Sequence, residues 1–169
     1  MSDERPGTQL GELLRRLSGA DVRFVVVGGL AVVAWGYVRN TDDIDIVPDP
    51  DPDNLDRLAA LLKGLGGRVK VGEDLLAASA IGTFLRTGDL TIVETDLGRL
   101  DVLQGLPTIP SFGVLIERAR EAKIGDLTVM ICSLEDLREM KRAAGRAIDV
   151  ADLEALAIGH DEPPDDESP

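Results

Sequence analysis

Phe24-Val25-Val26-Val27-Gly28-Gly29, followed after thirteen residues by Asp43-Ile44-Asp45-Ile46-Val47, is the stretch on which the fold turns. The first four residues are apolar and mostly β-branched, the composition of a strand buried on both faces. Gly28-Gly29 breaks the run, and Leu30 to Tyr37 then has the composition of a short buried helix. The second block alternates acid and aliphatic with period two, so one face of that strand carries Asp43 and Asp45 while Ile44 and Ile46 point into a core. Two like charges side by side cost free energy unless a cation neutralises them. Hard carboxylate oxygens in such a pair suit Mg²⁺, which commonly binds one or two carboxylates together with substrate phosphates.

A third acid on a neighbouring strand would complete such a site, and Asp101, between Leu100 and Val102, has that place in the pattern. With two metals ~3.5–4 Å apart, three carboxylates can activate an attacking hydroxyl and steady a departing pyrophosphate. Glycines at positions 28 and 29 let backbone approach a phosphate closely, and the helix behind them presents free N–H groups. Arg39 is placed to add a charge-assisted bond to those phosphates, and the Thr41 hydroxyl to fix the loop or a phosphate oxygen. Taken singly, a Gly-Gly turn and an Asp-x-Asp strand are commonplace; their order and spacing together point to nucleotide chemistry. A dinucleotide-binding Rossmann fold would need Gly-x-Gly-x-x-Gly, which is absent, and without Gly-Lys-Ser/Thr a P-loop is excluded as well.

Outward from this centre, Leu10, Leu13, Leu14 and Leu17 recur at helical spacing. Asp53 or Asn54 is placed to cap a helix from about Leu55 to Leu65, and the remaining acids of that loop, Asp49, Asp51 and Asp53, are expected to be solvated. Strands are expected at Arg68–Val71, Thr83–Arg86, Leu90–Glu94 and Leu100–Leu103, with Thr87-Gly88-Asp89 as a hairpin turn. A helix is expected over Phe112–Glu121, then a hairpin of Lys123-Ile124 and Thr128–Ile131 about Gly125-Asp126. Ser133 with Asp136 opens a helix to about Ala144, Gly145 interrupts it, and a last helix runs from about Ala147 to Ala157. The pattern is one mixed α/β (α+β) domain over residues 1–160 with a disordered acidic tail at 161–169.

The overall charge divides in the same way. The chain of 169 residues has a formal charge of −13, but Asp42 to Asp56 holds seven acids and no base, and Asp161 to Glu167 five more. With those twelve set aside, 19 acids face 18 bases, so a near-neutral body carries two acidic segments. One cysteine, Cys132, and one histidine, His160, exclude a Cys/His zinc cluster and make histidine-based nucleophilic catalysis a poor fit. Cys132 follows an apolar strand and reads as a buried thiol, Trp35 as packing, and His160 as exposed and idle. The longest uncharged stretch, Phe24–Val38, has 15 residues and three glycines, too short for ~30 Å of hydrocarbon. No leader-like segment opens the sequence, so a cytoplasmic setting is the expectation.

Val27-Gly28-Gly29, Asp43-Ile44-Asp45-Ile46 and the later Leu100-Asp101-Val102 together resemble the core signature of the DNA polymerase β nucleotidyltransferase superfamily. Arg39-x-Thr41-x-Asp43-x-Asp45 is similar to its branch of AbiEii-like (MenT-type) toxin nucleotidyltransferases. Lys141-x-x-Ala144-x-Arg146-x-x-Asp149-x-x-Asp152-Leu153 resembles that branch's C-terminal block, departing from it at Ile148, where relatives commonly have lysine.

The resemblance implies a minimal nucleotidyltransferase fold, a mixed β-sheet flanked by helices with a C-terminal helical segment. It further implies Mg²⁺ or Mn²⁺ on Asp43, Asp45 and Asp101, with Asp101 as base, an NTP held by Gly28 and Gly29, and Lys141 against the triphosphate. Arg146 and Asp149 belong to the same nucleotide-side block, where they share a helix face and can pair, and Asp152 is expected to be a structural partner. Lys141 is otherwise expected to be an exposed, solvated helix lysine.

The activity implied is transfer of a nucleoside monophosphate from an NTP to an acceptor hydroxyl on a tRNA, a protein or an antibiotic, with toxin–antitoxin biology and a cognate antitoxin as its setting. The alternative is a non-catalytic module of the same fold that binds a partner protein. For an RNA acceptor, Arg118, Arg120, Lys123, Arg138, Lys141, Arg142 and Arg146 form the one basic concentration, and aromatic residues for base stacking are scarce at 3%.

Overall fold

The computed structural model describes residues 6–159. His160 and the acidic segment 161–169 lie outside them. Among the described residues, eight strands form one mixed sheet in the order β4-β3-β5-β6-β2-β1-β8-β7, with helices packed against it.

The centre of the sheet is built from the stretches that the sequence singled out. Strand β1 (Phe24–Val27) has all four side chains buried, as a strand with neighbours on both edges requires. It runs antiparallel to β2 (Asp43–Pro48), which lies parallel to β6 (Gly98–Leu103). The parallel register sets Asp43 beside Arg99, Ile44 beside Leu100, Asp45 beside Asp101 and Ile46 beside Val102. Ile44, Ile46, Leu100 and Val102 are fully buried, so the apolar and acidic faces separate cleanly. Helix α1 (Pro6–Gly19) covers the apolar face: Leu13, Leu14 and Leu17 are buried, and Leu10 Cδ2 lies 2.9 Å from where a Cβ on Gly98 would stand. Gly98 shares its face with Leu100 and Val102, which leaves Arg99 and Asp101 on the opposite side.

Helix α2 (Gly28–Ala34) begins two residues earlier than expected, with the glycines as its first residues and no side-chain cap. Trp35 beyond it donates from Nε1 to the Cys132 carbonyl at 3.1 Å and lies 4.7 Å beneath the Arg120 guanidinium. Cys132 is buried, and burial pushes its thiol up to about 12.

The loop after β2 is more structured than a solvated acidic run. Asp51, rather than Asp53 or Asn54, caps α3 (Pro52–Gly64), accepting from Asp53 N with Pro52 at the first turn. Asn54 is fully buried and bonds to Arg23 N, Arg23 O and Asp49 O, tying α3 to the entry of β1. Asp49 pairs with Arg23 at 2.8 Å.

Two expectations are corrected between β3 (Arg68–Val71) and the C-terminus. The segment Thr83–Arg86 is not a strand: it lies within helix α4 (Ile81–Thr87), which follows β4 (Asp74–Leu76) and a 3₁₀ turn at Ala78–Ala80. Ile81 and Leu85 are buried four residues apart, a helical spacing that a four-residue window starting at Thr83 cuts in half. Strand β5 (Leu90–Thr95) then pairs antiparallel with β6.

The helix expected over Phe112–Glu121 stops at Arg118 as α5 (Phe112–Arg118), and β7 (Arg120–Ile124) follows. Strand β7 lies at the sheet edge against β8 (Leu127–Ile131), where charged side chains such as Arg120, Glu121 and Lys123 are tolerated. Helix α6 (Leu134–Ala144) opens on the Ser133 cap, which accepts from Asp136 N at 3.1 Å, and closes on Gly145 at φ 63°. Helix α7 (Ala147–Gly159) completes the described chain.

Candidate active site

Strands β2 and β6 bring Asp43, Asp45 and Asp101 onto one face, and a ligand oxygen from each lies within 4.8 Å of the others. Asp101 is 8% exposed, and Asp43 and Asp45 are half-buried. Burial, then the charge of Asp101, raises the Asp43 carboxyl above its ordinary range. Burial, then Asp43 and Asp101, pushes Asp45 up to about 7. Two acids that resist ionising, with a third carboxylate beside them, form a site that a dication would stabilise, and an all-oxygen donor set fits a hard ion such as Mg²⁺ or Mn²⁺.

The glycine turn closes on this face. Gly28 stands at φ 67°, and a Cβ there would come 2.1 Å from Oδ2 of Asp45. Only glycine meets both conditions, which brings helix α2's uncapped first turn against the carboxylates. A Cβ on Gly29 would meet Arg39 Nη2 at 2.8 Å and Thr41 Oγ1 at 2.9 Å, so the 39–41 loop backs the turn. The Thr41 hydroxyl donates to the Asp43 carbonyl at 3.1 Å and fixes the chain as it enters β2. Arg39 is held from the other side, with Nε 2.9 Å from Oδ1 of Asp152 and Nη2 donating to Oδ2 at 3.1 Å.

The C-terminal block forms a buried ionic network beside the triad. Lys141 is not the exposed lysine that a helix surface suggests: it is 6% exposed, with Nζ 3.0 Å from Asp149 and 2.9 Å from Asp152. Arg146 pairs with Asp149 at 2.8 Å, and its backbone N–H donates to the same carboxylate, which reaches back across the first turn of α7. Burial opposes ionisation of Asp149, but the bonds from Arg146 and Lys141 outweigh it and hold the carboxyl below its ordinary range. Asp152, fully buried, joins α7 to α6 through Lys141 and to the loop through Arg39, the structural partner that its spacing implies. The positive charge of Lys141 reaches Asp45, and that of Arg146 reaches both Asp43 and Asp45.

Two features of this region escape the sequence. Arg99 chelates Asp101, Nε to Oδ1 at 2.7 Å and Nη2 to Oδ2 at 2.9 Å, and stands 3.8 Å from Asp43. Its signal was an arginine two residues before Asp101 on the same strand face. Three members of the basic concentration are also paired within the fold: Arg118 chelates buried Asp136 at 2.7 and 3.1 Å, while Lys141 and Arg146 are engaged as described.

A paired-acid strand, a third acid in register and a glycine turn at their edge are thus gathered at one place. The family comparison matches residues 7–162 to the family described as nucleotidyl transferase of unknown function (DUF2204). The chain belongs to that family. It is a nucleotidyltransferase.

Solved structures share the fold. The antibiotic-resistance factor ANT(2'')-Ia is 17% identical with a TM-score of 0.63, over 90% of this chain and 82% of that one. The lincosamide antibiotic adenylyltransferase LnuA, solved with lincomycin bound, is 17% identical with a TM-score of 0.63, over 88% and 94%. An antigenic nucleotidyltransferase-like protein from Paracoccidioides brasiliensis is 16% identical with a TM-score of 0.56, over 94% and 76%. No curated protein matches the sequence. No helix among the described residues is long and apolar enough to cross a membrane.

Proposed function

We propose that this nucleotidyltransferase transfers an NMP from an NTP to an acceptor hydroxyl, with Asp43, Asp45 and Asp101 holding Mg²⁺ or Mn²⁺. The observation that carries this reading is the convergence of the three carboxylates within 4.8 Å beside the Gly28 turn. A bound dication would supply charge neutralisation of the triphosphate and polarisation of its α-phosphate. Gly28 and Gly29 present backbone N–H groups to the phosphates at the start of α2, with Arg39 and Thr41 bracing the turn from behind. Lys141 and Arg146 add the positive field that already reaches Asp45 and Asp43, and Asp149 holds both of them in place.

In the reaction, the acceptor oxygen forms a bond to the α-phosphorus. The bond from that phosphorus to the bridging oxygen breaks, its electron pair leaving with pyrophosphate. The hydroxyl proton passes to Asp101 and then to solvent.

The finer reading follows the resemblance of the Arg39–Asp45 and Lys141–Leu153 blocks to AbiEii-like (MenT-type) toxins. In it the acceptor is a tRNA or a protein, the protein works in the cytoplasm, and a cognate antitoxin restrains it. A second reading has a small hydroxylated molecule as acceptor. It is favoured by the internal pairing of Arg118, Lys141 and Arg146, which weakens a basic track for polyanions, and by the antibiotic adenylyltransferases among the structural neighbours.

Incubation with each α-labelled NTP, Mg²⁺ and, separately, total RNA, lysate protein and hydroxylated small molecules tests both readings. Label should move to one pool with the wild type and to none with Asp43→Asn/Asp45→Asn. Absence of transfer to every pool, or transfer that survives the double substitution, contradicts the proposal.

A further inference from the structure

The acidic face is not purely acidic. Because β2 and β6 are parallel with Asp43 beside Arg99 and Asp45 beside Asp101, four side chains form one patch of three acids and one base. Arg99 uses its planar fork on Asp101, covering both carboxylate oxygens at 2.7 and 2.9 Å, while its Nε also stands 3.8 Å from Asp43 Oδ2. Lys141 and Arg146, by contrast, are bonded to Asp149. Arg99 is therefore a cation bonded to the triad directly.

We propose that Arg99 is a resident counter-ion that competes with the divalent metal for Asp101 and so sets the metal affinity of the site. This inference rests on the metal-dependent reading above. A chelated guanidinium occupies the same edge of the carboxylate that a metal would approach, and two cations cannot share it without repulsion. The exchange is feasible because the Arg99 side chain is 37% exposed and sits on a long flexible stem, whereas the Asp101 side chain is only 11% exposed and stays in place. The guanidinium carries a single charge and bonds to Asp101 alone, so a dication able to draw on three carboxylates displaces it. The arginine thus keeps the triad compatible with folding before metal and nucleotide arrive, at the expense of weaker metal binding. It is a positioning residue, acting through Asp101.

The test is Mn²⁺ binding to the nucleotide-free full chain, by paramagnetic resonance of free Mn²⁺ and by calorimetry, for wild type, Arg99→Gln and Arg99→Lys, with the metal-free melting temperature of each. Arg99→Gln should bind Mn²⁺ about fivefold more tightly while melting lower without metal. Arg99→Lys, a point charge that cannot cover both oxygens, should fall between them. A wild type that binds Mn²⁺ with Arg99→Gln at equal or weaker affinity overturns the role given to Arg99 and leaves the metal site standing. Binding by neither protein removes the metal-site reading itself, and this inference with it.

Discussion

Asp43, Asp45 and Asp101 on one side, and Asp149 and Asp152 on the other, are aspartates of one small fold held in opposite electrostatic conditions. In the C-terminal network each acid was given its cations by the fold: Lys141 touches both, Arg39 reaches Asp152, and Arg146 reaches Asp149. There, bonds outweigh burial and Asp149 is held ionised. In the triad, burial and mutual repulsion win, and Asp43 and Asp45 are driven toward the protonated form. One cluster is complete as folded; the other is arranged around a charge that the chain supplies only in part, through Arg99. A group placed where it opposes its own ionisation is characteristic of a working site, and a network of paired charges of the frame that supports one.

The sharpest way to break this contrast is to neutralise both kinds of acid. Asp43→Asn or Asp45→Asn should reduce nucleotidyl transfer by about a thousandfold or more, an effect typical of losing a main electrostatic group, while leaving the metal-free melting temperature unchanged or higher. Asp149→Ala should do the reverse first: it leaves buried Lys141 to share Asp152 with Arg39 and should lower stability by about 3–5 kcal/mol in denaturant unfolding. Equal destabilisation by the two substitutions would erase the distinction drawn between the clusters.

Gly28→Ala carries both a φ of 67° and a Cβ thrust into the Asp45 carboxylate, so it should cost about 1–3 kcal/mol and raise KM for the NTP. Gly72→Ala, also at positive φ but with nothing near its Cβ, is the control that should leave KM alone.

The pH response is smaller and has a defined sign. Asp45 titrates at about 7 in the folded chain and near its ordinary value of 3.8 when unfolded, so the native state binds more protons across that window. Metal-free stability contributed by this group is fully present below pH about 4 and falls as pH rises through about 7. Wild-type stability should therefore decline as pH rises over that range, and Asp45→Asn should flatten the curve. Smaller still, Cys132 should resist alkylation in the native protein and react on unfolding.

How much of this was legible beforehand depended on the range over which each signal acts. Strands β1 and β2 and the apolar flanks of Asp101 were readable because period-two alternation and β-branched residues act locally. Ser133 and Gly145 marked the ends of α6 for the same reason. Helix α4 was hidden because seven residues give barely two turns, and its buried Ile81 lay outside the window that was read as a strand. Strand β7 was hidden by edge charges that look helical.

The site was divided likewise. The acids and glycines were legible as types, but the burial of Lys141 depends on Asp149 and Asp152 folding back across the break at Gly145. The role of Arg99 exists only once β6 lies in parallel register with β2.

The central claim is that the triad is a metal–nucleotide site rather than an acidic surface. Its most direct test is the melting temperature of wild type and Asp43→Asn/Asp45→Asn during titration with Mg²⁺ or Mn²⁺ in the presence of NTP. The account predicts a rise of several degrees at saturation for the wild type and none for the double variant, as binding to the native state alone requires. Equal rises in both proteins, or no rise in the wild type, would contradict it.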